Sequence, residues 1–531
     1  MNNLWRTYAF FVDFLFSLLS TVAEVAMFWH TRMWSVILGS RPESRILQQM
    51  GECETYEEWM DLAFELDSVL GNDLWRANPK SDLYDYKLIS ERLDMIMEMK
   101  EMGDVISLTN NIRSGLVRNL GNIANKKLFT YTGTKFLIEK YNLEVIDSFN
   151  FLLEHPLSTL SVQAKLDLVH DTRQSYGLST LVLQGGVLFG LCHLGVVRAL
   201  HEHQLLPRII TGVGVGALIA SLVCIHRDDE LPEFLDGNGI NLSAFGSQDP
   251  EVQSKDAWTR IKRFVTKGYL LDIQVLQQVV RDNTGDLTFE EAYARTRRVL
   301  NISVHSDDKY VPNLFNYLTT PNVLIWSAAC ASNALPGLFE EILLMCKNEH
   351  GQIVPWMPTG STIKWKSWTA TPRAEREAPY TRVSELFNVN HFIVSQARPY
   401  IAPFIMQDFH QGESSWRIKL LRLVAFEIRH RLSLLETLGL LPDFLHKLFL
   451  SDDRRLMNSE IITIAPNLTI SDFWRFFVDA PHSREDIRYW SKKGEQSAWF
   501  VLPLIRQRCG VEFMLDSVYD VMFRSRNARK L

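Results

Sequence analysis

The chain has 531 residues, of which 46% are hydrophobic and 22% are charged, an ordinary balance for a globular protein. Its formal net charge of −6 argues against a nucleic-acid partner, because no basic stripe is present to release counterions from phosphates. The six cysteines are scattered and form no CxxC pair, which fits reduced thiols in a cytosol-facing protein. We expect neither a metal site nor a cofactor.

Residues 1–41 are predicted to form a membrane-associated segment. The apolar stretch 8–39 is interrupted by Asp13, Glu24 and Arg32. At 100° per residue one narrow stripe contains most of the polar side chains, namely Arg6, Asp13, Ser17, Ser20, Glu24, Thr31 and Ser35. A cleavable signal peptide is disfavoured, since no clear cleavage site follows a short apolar core. A helix at the membrane surface can turn its carboxylates to water, whereas a spanning helix would bury them at about 2.5 kcal/mol or more each. A spanning helix and a soluble core helix remain the alternatives.

The rest of the chain divides into three predicted regions. Residues 42–169 are predicted to form a helical module, since TYEEWMDLAFELDSVL and KLISERLDMIMEMKEM repeat apolar positions three and four apart. Residues 170–400 alternate helical segments with short β-branched runs such as STLVLQ, RIITGV, RVLNISV and HFIVSQ, which predicts a layered α/β domain. Residues 401–531 return to helical patterns. We therefore expect an α/β fold with helical regions on both sides of the α/β domain.

The first of two glycine turns follows the predicted strand STLVLQ. Gly185, Gly186, Val187 and Gly190 precede a helix that starts near Leu191. Such a turn exposes successive backbone N–H groups at a helix N-terminus, where they can bind a phosphate or an oxyanion. A dinucleotide-binding turn is disfavoured, because the G-x-G-x-x-G spacing is missing.

The second glycine turn lies in IITGVGVGALIASLVC, residues 209–224, where Gly212, Gly214 and Gly216 alternate before an apolar helix. Two consecutive strand, glycine-turn, helix units resemble the patatin-like phospholipase and acylglycerol lipase domain. The runs PNVLIWSAACASNALPGLFEEILLM, VSELFNVNHFIVSQARPY and HRLSLLETLGLLPDFL resemble the fungal lipid-droplet triacylglycerol lipases and the plant sugar-dependent triacylglycerol lipase. The resemblance covers residues 42–520. It implies a patatin-like layered α/β domain, with the first turn as an oxyanion hole and the second as a nucleophile elbow.

The resemblance also implies a serine/aspartate dyad, in which the serine lies in G-x-S-x-G and the aspartate in a later D-G pair. Aligning Gly212 and Gly216 with the outer glycines places Gly214 at the nucleophile position. Counting back from the run P-x-T-R-x-S-E-L-F places Thr371 and Pro372 at the D-G pair. Neither dyad residue is present in this alignment. A serine at the elbow has a strained backbone conformation that costs about 1–3 kcal/mol of stability, whereas glycine adopts the same conformation with little strain.

The sequence offers no evident relocated dyad. No serine has glycines at both −2 and +2, and the one Asp-Gly pair, Asp236-Gly237, is interpreted as a surface turn. His193 is interpreted as a packing residue, and none of the 14 histidines begins the H-x4-D motif of acyltransferases. Thr211 and Thr371 are the remaining hydroxyls near the expected site. An alcohol without an adjacent base is a poor nucleophile at neutral pH.

These features predict a catalytically degenerate lipase that acts by lipid binding or regulation. Its expected location is the cytosolic face of the endoplasmic reticulum membrane or of a lipid droplet. Its expected partners are a neutral lipid or phospholipid, that membrane or droplet surface, and an active lipase relative. Two alternatives stay open: an active lipid hydrolase or acyltransferase with non-standard residues, and a purely structural membrane-associated protein whose pocket has closed.

Overall fold

The structure is a computed structural model, and it describes only part of the chain. The described residues are 43–154, 161–185, 189–237, 273–306, 308, 311–333, 342–358, 363, 365–367, 378–397, 461–468, 472 and 484–528. The predicted membrane-associated segment lies outside these residues, as do Gly186, Val187, Thr371 and Pro372. Within the described ranges, no helix is both long enough and apolar enough to cross a membrane.

Helices fill the chain ahead of the first strand. They are α1 (Glu43–Met50), α2 (Tyr56–Val69), α3 (Asn72–Ala77), α4 (Tyr86–Glu101), α5 (Val105–Gly115), α6 (Phe136–Glu154) and α7 (Val162–Tyr176), with short 3₁₀ helices at Leu120–Asn122 and Lys126–Leu128. Helix α2 begins with a capping box, in which Thr55 accepts a hydrogen bond from the backbone of Glu58 and the Glu58 side chain accepts one in return. The apolar faces of these helices meet in a core that fully buries Trp59 and Phe149.

A mixed seven-stranded sheet follows. Its strands are β1 (Leu178–Gln184), β2 (Ile209–Val213), β3 (Val299–Ser306), β4 (Leu314–Phe315), β7 (Trp365–Ser367), β8 (Val389–Gln396) and β9 (Ile461–Ile464), while β5 (Met345–Lys347) and β6 (Ile353–Pro355) form a separate hairpin. The order is β4-β3-β2-β1-β8-β9, with β7 also on β3. The pairs from β3 to β9 are parallel, whereas β4 and β7 run antiparallel to β3. The predicted α/β fold is therefore confirmed.

Helices cover the sheet because each parallel connection must cross back over it. The helices between the strands are α8 (Cys192–Glu202), α9 (Val215–Ile225), α10 (Leu231–Leu235), α11 (Ile273–Thr284), α12 (Phe289–Thr296), α13 (Ile325–Ser332) and α14 (Ala378–Phe387). Every residue of α13 is buried, and its small side chains in SAACAS let it pack closely between α9 and β3. Helix α9 lies on β1 and β2, at the centre of the sheet.

The C-terminal region differs from the prediction for residues 401–531. It contributes β9 to the main sheet, so a boundary at residue 400 separates a strand from the sheet to which it belongs. The run IITI has only four residues and follows segments with a helical pattern, so its sequence could not show whether it forms a strand or part of a buried helix. Two described helices follow, α15 (Arg484–Trp499) and α16 (Leu502–Ala528), as the helical pattern predicted.

Helix α15 crosses α8 at a contact between glycines. A methyl group on Gly195 of α8 would lie 1.6 Å from the carbonyl oxygen of Ser491, and one on Gly494 of α15 would lie 1.9 Å from that of Cys192. Only residues without a side chain permit helix backbones to approach this closely. The C-terminal region therefore packs directly on the helix that follows the first glycine turn.

Helix α16 joins the helical module to the sheet through a buried polar cluster. The Arg118 guanidinium contacts the carboxylate of Glu512 at 2.9 Å, with both side chains under 10% exposed. Ser179, at the start of β1, donates its backbone N–H to Glu512, and its hydroxyl lies 3.2 Å from Nδ1 of His391 on β8. Burial raises the pKa of Glu512 and lowers the pKa of His391 well below its ordinary value. The cluster lies at the amino ends of the strands, away from the glycine turns.

Candidate functional site

The two glycine turns lie side by side at the carboxyl edge of the sheet. In the parallel pairing of β1 with β2, Leu183 is opposite Gly212 and Gln184 is opposite Val213. The residues that follow are Gly185 and Gly214, so the two turns begin at adjacent positions. Strand β1 also pairs with β8, and the chain leaves β1 towards β2 but leaves β8 towards β9. Ligands of open α/β sheets bind at such a switch point, outside the carboxyl ends of the strands.

The first glycine turn leads directly into α8. Gly185 has φ +77°, a left-handed conformation that favours glycine, and Gly190 precedes the helix that starts at Cys192. Gly186 and Val187 lie outside the described residues. An apolar cluster packs beside this turn, and its members are Phe189, Cys192, Ala397, Leu468 and Trp490. Residues after β8 and residues of α15 thus contribute to the surroundings of the first turn.

The second glycine turn joins β2 to α9 through Gly214. This residue caps α9 with φ +63° and ψ −129°, a combination that residues with side chains rarely adopt. A methyl group on Gly214 would meet no atom of the described residues within 4 Å. The position therefore has room for a side chain, although its backbone conformation disfavours one.

The glycines on either side have the opposite character. A methyl group on Gly212 would lie 2.4 Å from the α-carbon of Ala217, and one on Gly216 would lie 2.0 Å from the carbonyl oxygen of Leu183. Both positions are glycine because α9 returns closely over β1 and β2. The three alternating glycines thus separate into two that packing requires and one, Gly214, that faces open space.

Two residues at the end of α13 hold the backbone of Gly214. The N–H of Gly214 donates to the hydroxyl of Ser332 at 3.0 Å, and that hydroxyl donates in turn to the Ser303 carbonyl at 2.8 Å. The side-chain amide of Asn333 donates to the Gly214 carbonyl at 2.9 Å and to the Ala329 carbonyl at 2.9 Å. Both peptide groups that flank Gly214 therefore have side-chain partners from a segment more than a hundred residues later.

Sequence reasoning did not identify Ser332 and Asn333 as parts of the site. They belong to the run SAACASNALPG, whose small residues indicate close packing but do not show against what. The hydroxyl of Ser332 contacts Gly214, yet the residue is fully buried and the hydroxyl already accepts one hydrogen bond and donates another. It is not placed to attack a substrate.

Thr211 and Thr371 were the hydroxyls predicted near the site, and of these Thr211 lies within the described residues. It is 4% exposed in the middle of β2, and its oxygen lies 3.3 Å from the hydroxyl of Thr180 on the neighbouring strand. Thr180 itself donates to the carbonyl of Ile209. Thr211 is therefore part of the strand interior, and its hydroxyl does not reach the surface of the turn.

His193 forms a contact that the sequence did not reveal. Its Nδ1 lies 2.8 Å from the hydroxyl of Ser395 on β8, and both residues are buried. Burial lowers the pKa of His193 to about 4, and the nearby backbone of Gly185 opposes this shift. The neutral imidazole fits the packing role that we inferred for it, and the contact with Ser395 adds a serine–histidine pair behind the first glycine turn.

The Asp-Gly pair lies away from both turns. Asp236 ends α10, its side chain is 39% exposed, and it forms an ion pair with Arg198 at 2.9 Å. Gly237 follows with φ +85°. The pair forms a turn in which Asp236 is partly exposed, whereas Gly237 is buried beside Arg484 and Ile487 of α15, so only the aspartate fits the predicted surface turn. Among the residues that the structure describes, no cluster of three His, Cys, Asp or Glu side chains could hold a metal ion.

Comparison with known proteins gives the family. A family described as "Patatin-like phospholipase" matches residues 181–357, and a "Domain of unknown function (DUF3336)" matches residues 37–174. Triacylglycerol lipase ptl1 of Schizosaccharomyces pombe is 35% identical over 97% of this chain and 90% of its own length. Triacylglycerol lipase 3 of Saccharomyces cerevisiae is 30% identical over 97% of this chain and 94% of its own. Triacylglycerol lipase SDP1L of Arabidopsis thaliana is 35% identical over 90% of this chain and 58% of its own. The chain therefore belongs to the patatin-like triacylglycerol lipase family.

Proposed function

We propose that this protein is a catalytically degenerate member of its family, which binds an acyl lipid at the two glycine turns and acts by lipid binding or regulation. The observation that carries the proposal is the second turn, where Gly214 has a left-handed backbone and open space beside it but no side chain. Because the relatives are named triacylglycerol lipases, the ligand that we propose is a neutral lipid or a phospholipid. Gly185, Gly186, Val187 and Gly190 are the proposed oxyanion-type binding turn.

The chemistry of the neighbouring groups supports a loss of turnover. Acyl transfer needs a nucleophile that an adjacent base activates. Gly214 carries no such group, the hydroxyl of Thr211 is inside the sheet, and that of Ser332 is occupied by backbone partners. Position 371, where the alignment expects the base, is a threonine. Loss of dyad residues typically costs several orders of magnitude in rate, and binding survives that loss.

Purified full-length protein tests both halves of this proposal. We expect acyl lipids to co-purify with the protein and to be identified by mass spectrometry. We also expect no triacylglycerol or phospholipid hydrolysis at the rate of a lipase relative assayed in parallel, and no labelling by a fluorophosphonate. Efficient hydrolysis would refute the degeneracy, and absence of any bound lipid would refute the binding role.

Rebuilding the dyad gives a sharper comparison. Gly214→Ser combined with Thr371→Asp and Pro372→Gly restores both groups, and we expect more ester hydrolysis than from Gly214→Ser alone, because dyad members act as a unit. The matched control is Gly214→Ala with the same pair of changes, which adds the same backbone strain but no hydroxyl. Equal activity of the serine and alanine combinations would show that position 214 is not the nucleophile position.

The contact between His193 and Ser395 supports a second candidate function, that of an active hydrolase with a relocated nucleophile. A serine hydroxyl 2.8 Å from an imidazole is the arrangement that activates serine in many hydrolases. Both His193 and Ser395 are buried, which counts against access by a substrate. Fluorophosphonate labelling followed by peptide mapping separates the two candidates. Labelling at Ser395 that disappears in Ser395→Ala would support the active hydrolase, and no labelling would support the degenerate lipase.

We also propose that residues 1–41 attach the protein to the endoplasmic reticulum membrane or to a lipid droplet, facing the cytosol, where an active lipase relative is a further candidate partner. The single polar stripe along an apolar stretch supports surface embedding. A fusion of residues 1–45 to a fluorescent protein should mark the reticulum or droplets. As a control, Leu15→Asp with Leu18→Asp should abolish that pattern by charging the apolar face. A diffuse cytosolic signal from the unmodified fusion would refute the proposal.

A further inference from the structure

We propose that Ser332 and Asn333 are positioning residues that hold the turn at Gly214 in its left-handed conformation, independently of any side chain at that position. This inference rests on the proposed function only in assigning the second glycine turn to the binding site. The hydrogen bonds themselves do not depend on that assignment. Ser332 accepts from the N–H of Gly214, and Asn333 donates to its carbonyl.

The two contacts constrain the turn from both sides. A residue at φ +63° and ψ −129° persists only where its surroundings over-determine the backbone. The Gly214 carbonyl also accepts the N–H of Ala217 in the first turn of α9, but its N–H has Ser332 as the partner seen here. If the backbone rotated about Gly214, the peptide group before it would lose the contact with Ser332, and the peptide group after it would lose the contact with Asn333.

The supports are themselves fixed in place. Ser332 is fully buried, and its hydroxyl proton goes to the carbonyl of Ser303 in β3, so the side chain links the turn after β2 to the neighbouring strand. Asn333 is 7% exposed and is anchored to the carbonyl of Ala329 within α13. Because the whole of α13 is buried between α9 and β3, its end cannot shift without disturbing the core.

A cysteine at position 214 reports the geometry of the turn without requiring catalysis. A thiol at a helix N-terminus has a pKa below the ordinary value of about 8.5, so the pH midpoint of alkylation in Gly214→Cys should be lowered by about one unit or more. Iodoacetamide on the full chain is the probe, with the site identified by peptide mapping. Five of the six natural cysteines are buried and should react little, and they are Cys53, Cys192, Cys224, Cys330 and Cys509. Cys346 is half-buried, and peptide mapping separates its alkylation from that of Gly214→Cys.

Adding Ser332→Ala or Asn333→Ala should return the alkylation midpoint of Gly214→Cys towards about 8.5. The alkylation rate at neutral pH should then fall about tenfold, because less of the thiol is ionised once the turn loses its support. Ser332→Thr keeps the hydroxyl and should retain the lowered midpoint. The matched control is Ser221→Ala, since Ser221 is buried in the same helix that follows the turn and its hydroxyl donates to the carbonyl of Ala217 within that helix.

The outcomes separate this inference from the proposed function. An unshifted midpoint in Gly214→Cys, or identical midpoints for Ser332→Ala, Asn333→Ala and Ser221→Ala, would overturn the positioning role. If one alanine variant fails to fold, the other tests the same turn through its opposite peptide group. A chain that binds no lipid but shows the lowered midpoint and its dependence on Ser332 and Asn333 would refute the binding function and leave the positioning role intact.

Discussion

The glycine crossing between α8 and α15 gives a prediction with a matched control in the same part of the chain. Gly494→Ala places a methyl group 1.9 Å from the Cys192 carbonyl oxygen and 2.9 Å from its carbonyl carbon. These are backbone atoms of a packed helix, so no side chain can move aside to relieve the contact. The two helices must separate by roughly 1.5 Å or more to restore ordinary distances.

The size of the effect follows from two opposing contributions. Overpacking a tight contact costs about 1–3 kcal/mol, and this case belongs at the upper end because the obstacle is backbone. The gain in helix propensity from glycine to alanine offsets at most about 1 kcal/mol. We expect a net loss of about 2 kcal/mol in the free energy of unfolding. Separation of the helices should also loosen the contact between Phe189 and Trp490 beside the first turn.

Gly510→Ala is the control, since Gly510 is also a helical glycine but a methyl group on it would meet nothing within 4 Å among the described residues. It should raise the free energy of unfolding by about 0.5–1 kcal/mol. Denaturant unfolding followed by tryptophan fluorescence and by circular dichroism measures both variants. If Gly494→Ala is as stable as Gly510→Ala, α15 does not approach α8 in the way described, and the C-terminal region is not part of the site's surroundings.

Three further predictions concern the buried side chains of His193 and Glu512 and the backbone of Gly214. Because burial lowers the pKa of His193 to about 4, the folded protein binds fewer protons at this residue than the unfolded chain does. The stability that the neutral His193 contributes is therefore present above the unfolded pKa of about 6.5 and is lost below it, so the free energy of unfolding should fall by about 2 kcal/mol between pH 8 and pH 5. His193→Gln should flatten that part of the profile, and an unchanged slope would contradict the assignment. Glu512→Gln should lower the free energy of unfolding by about 3–5 kcal/mol in denaturant titrations, since it leaves the Arg118 charge buried without its partner, and a neutral result would mean that water reaches the pair. Gly214→Ser and Gly214→Ala should each lower the unfolding temperature, equivalent to about 1–3 kcal/mol, because both force a side chain into a left-handed backbone. A neutral or stabilising effect would show that Gly214 is not strained.

The fold class could be predicted from the sequence because its signal is local. The runs STLVLQ and RIITGV each correspond to a strand, and the apolar run after Gly214 corresponds to α9, since alternation and glycine punctuation act over a few residues. The strand Ile461–Ile464 was missed because only its pairing with β8 identifies it as a strand. Pairing between segments about seventy residues apart produces no recognisable pattern in the sequence of either segment.

The site was predictable only where a residue's role depends on its own neighbours in the chain. Gly212 and Gly216 were expected from their spacing, and close backbone approach accounts for both. Ser332, Asn333 and Ser395 were not expected, since each acts on a turn or helix that is distant in sequence. A serine in a run of small residues resembles ordinary helix packing until the opposite surface is known.

The second glycine turn keeps its shape without a side chain at position 214. Its path is determined by the close approach of α9 at Gly212 and Gly216 and by the hydrogen bonds from Ser332 and Asn333. None of these contacts involves a side chain at position 214. A change from serine to glycine at that position would therefore remove a nucleophile and relieve strain while every contact that shapes the turn stays in place. Because the turn does not need the reactive residue to keep its form, a binding role at this site can persist without turnover.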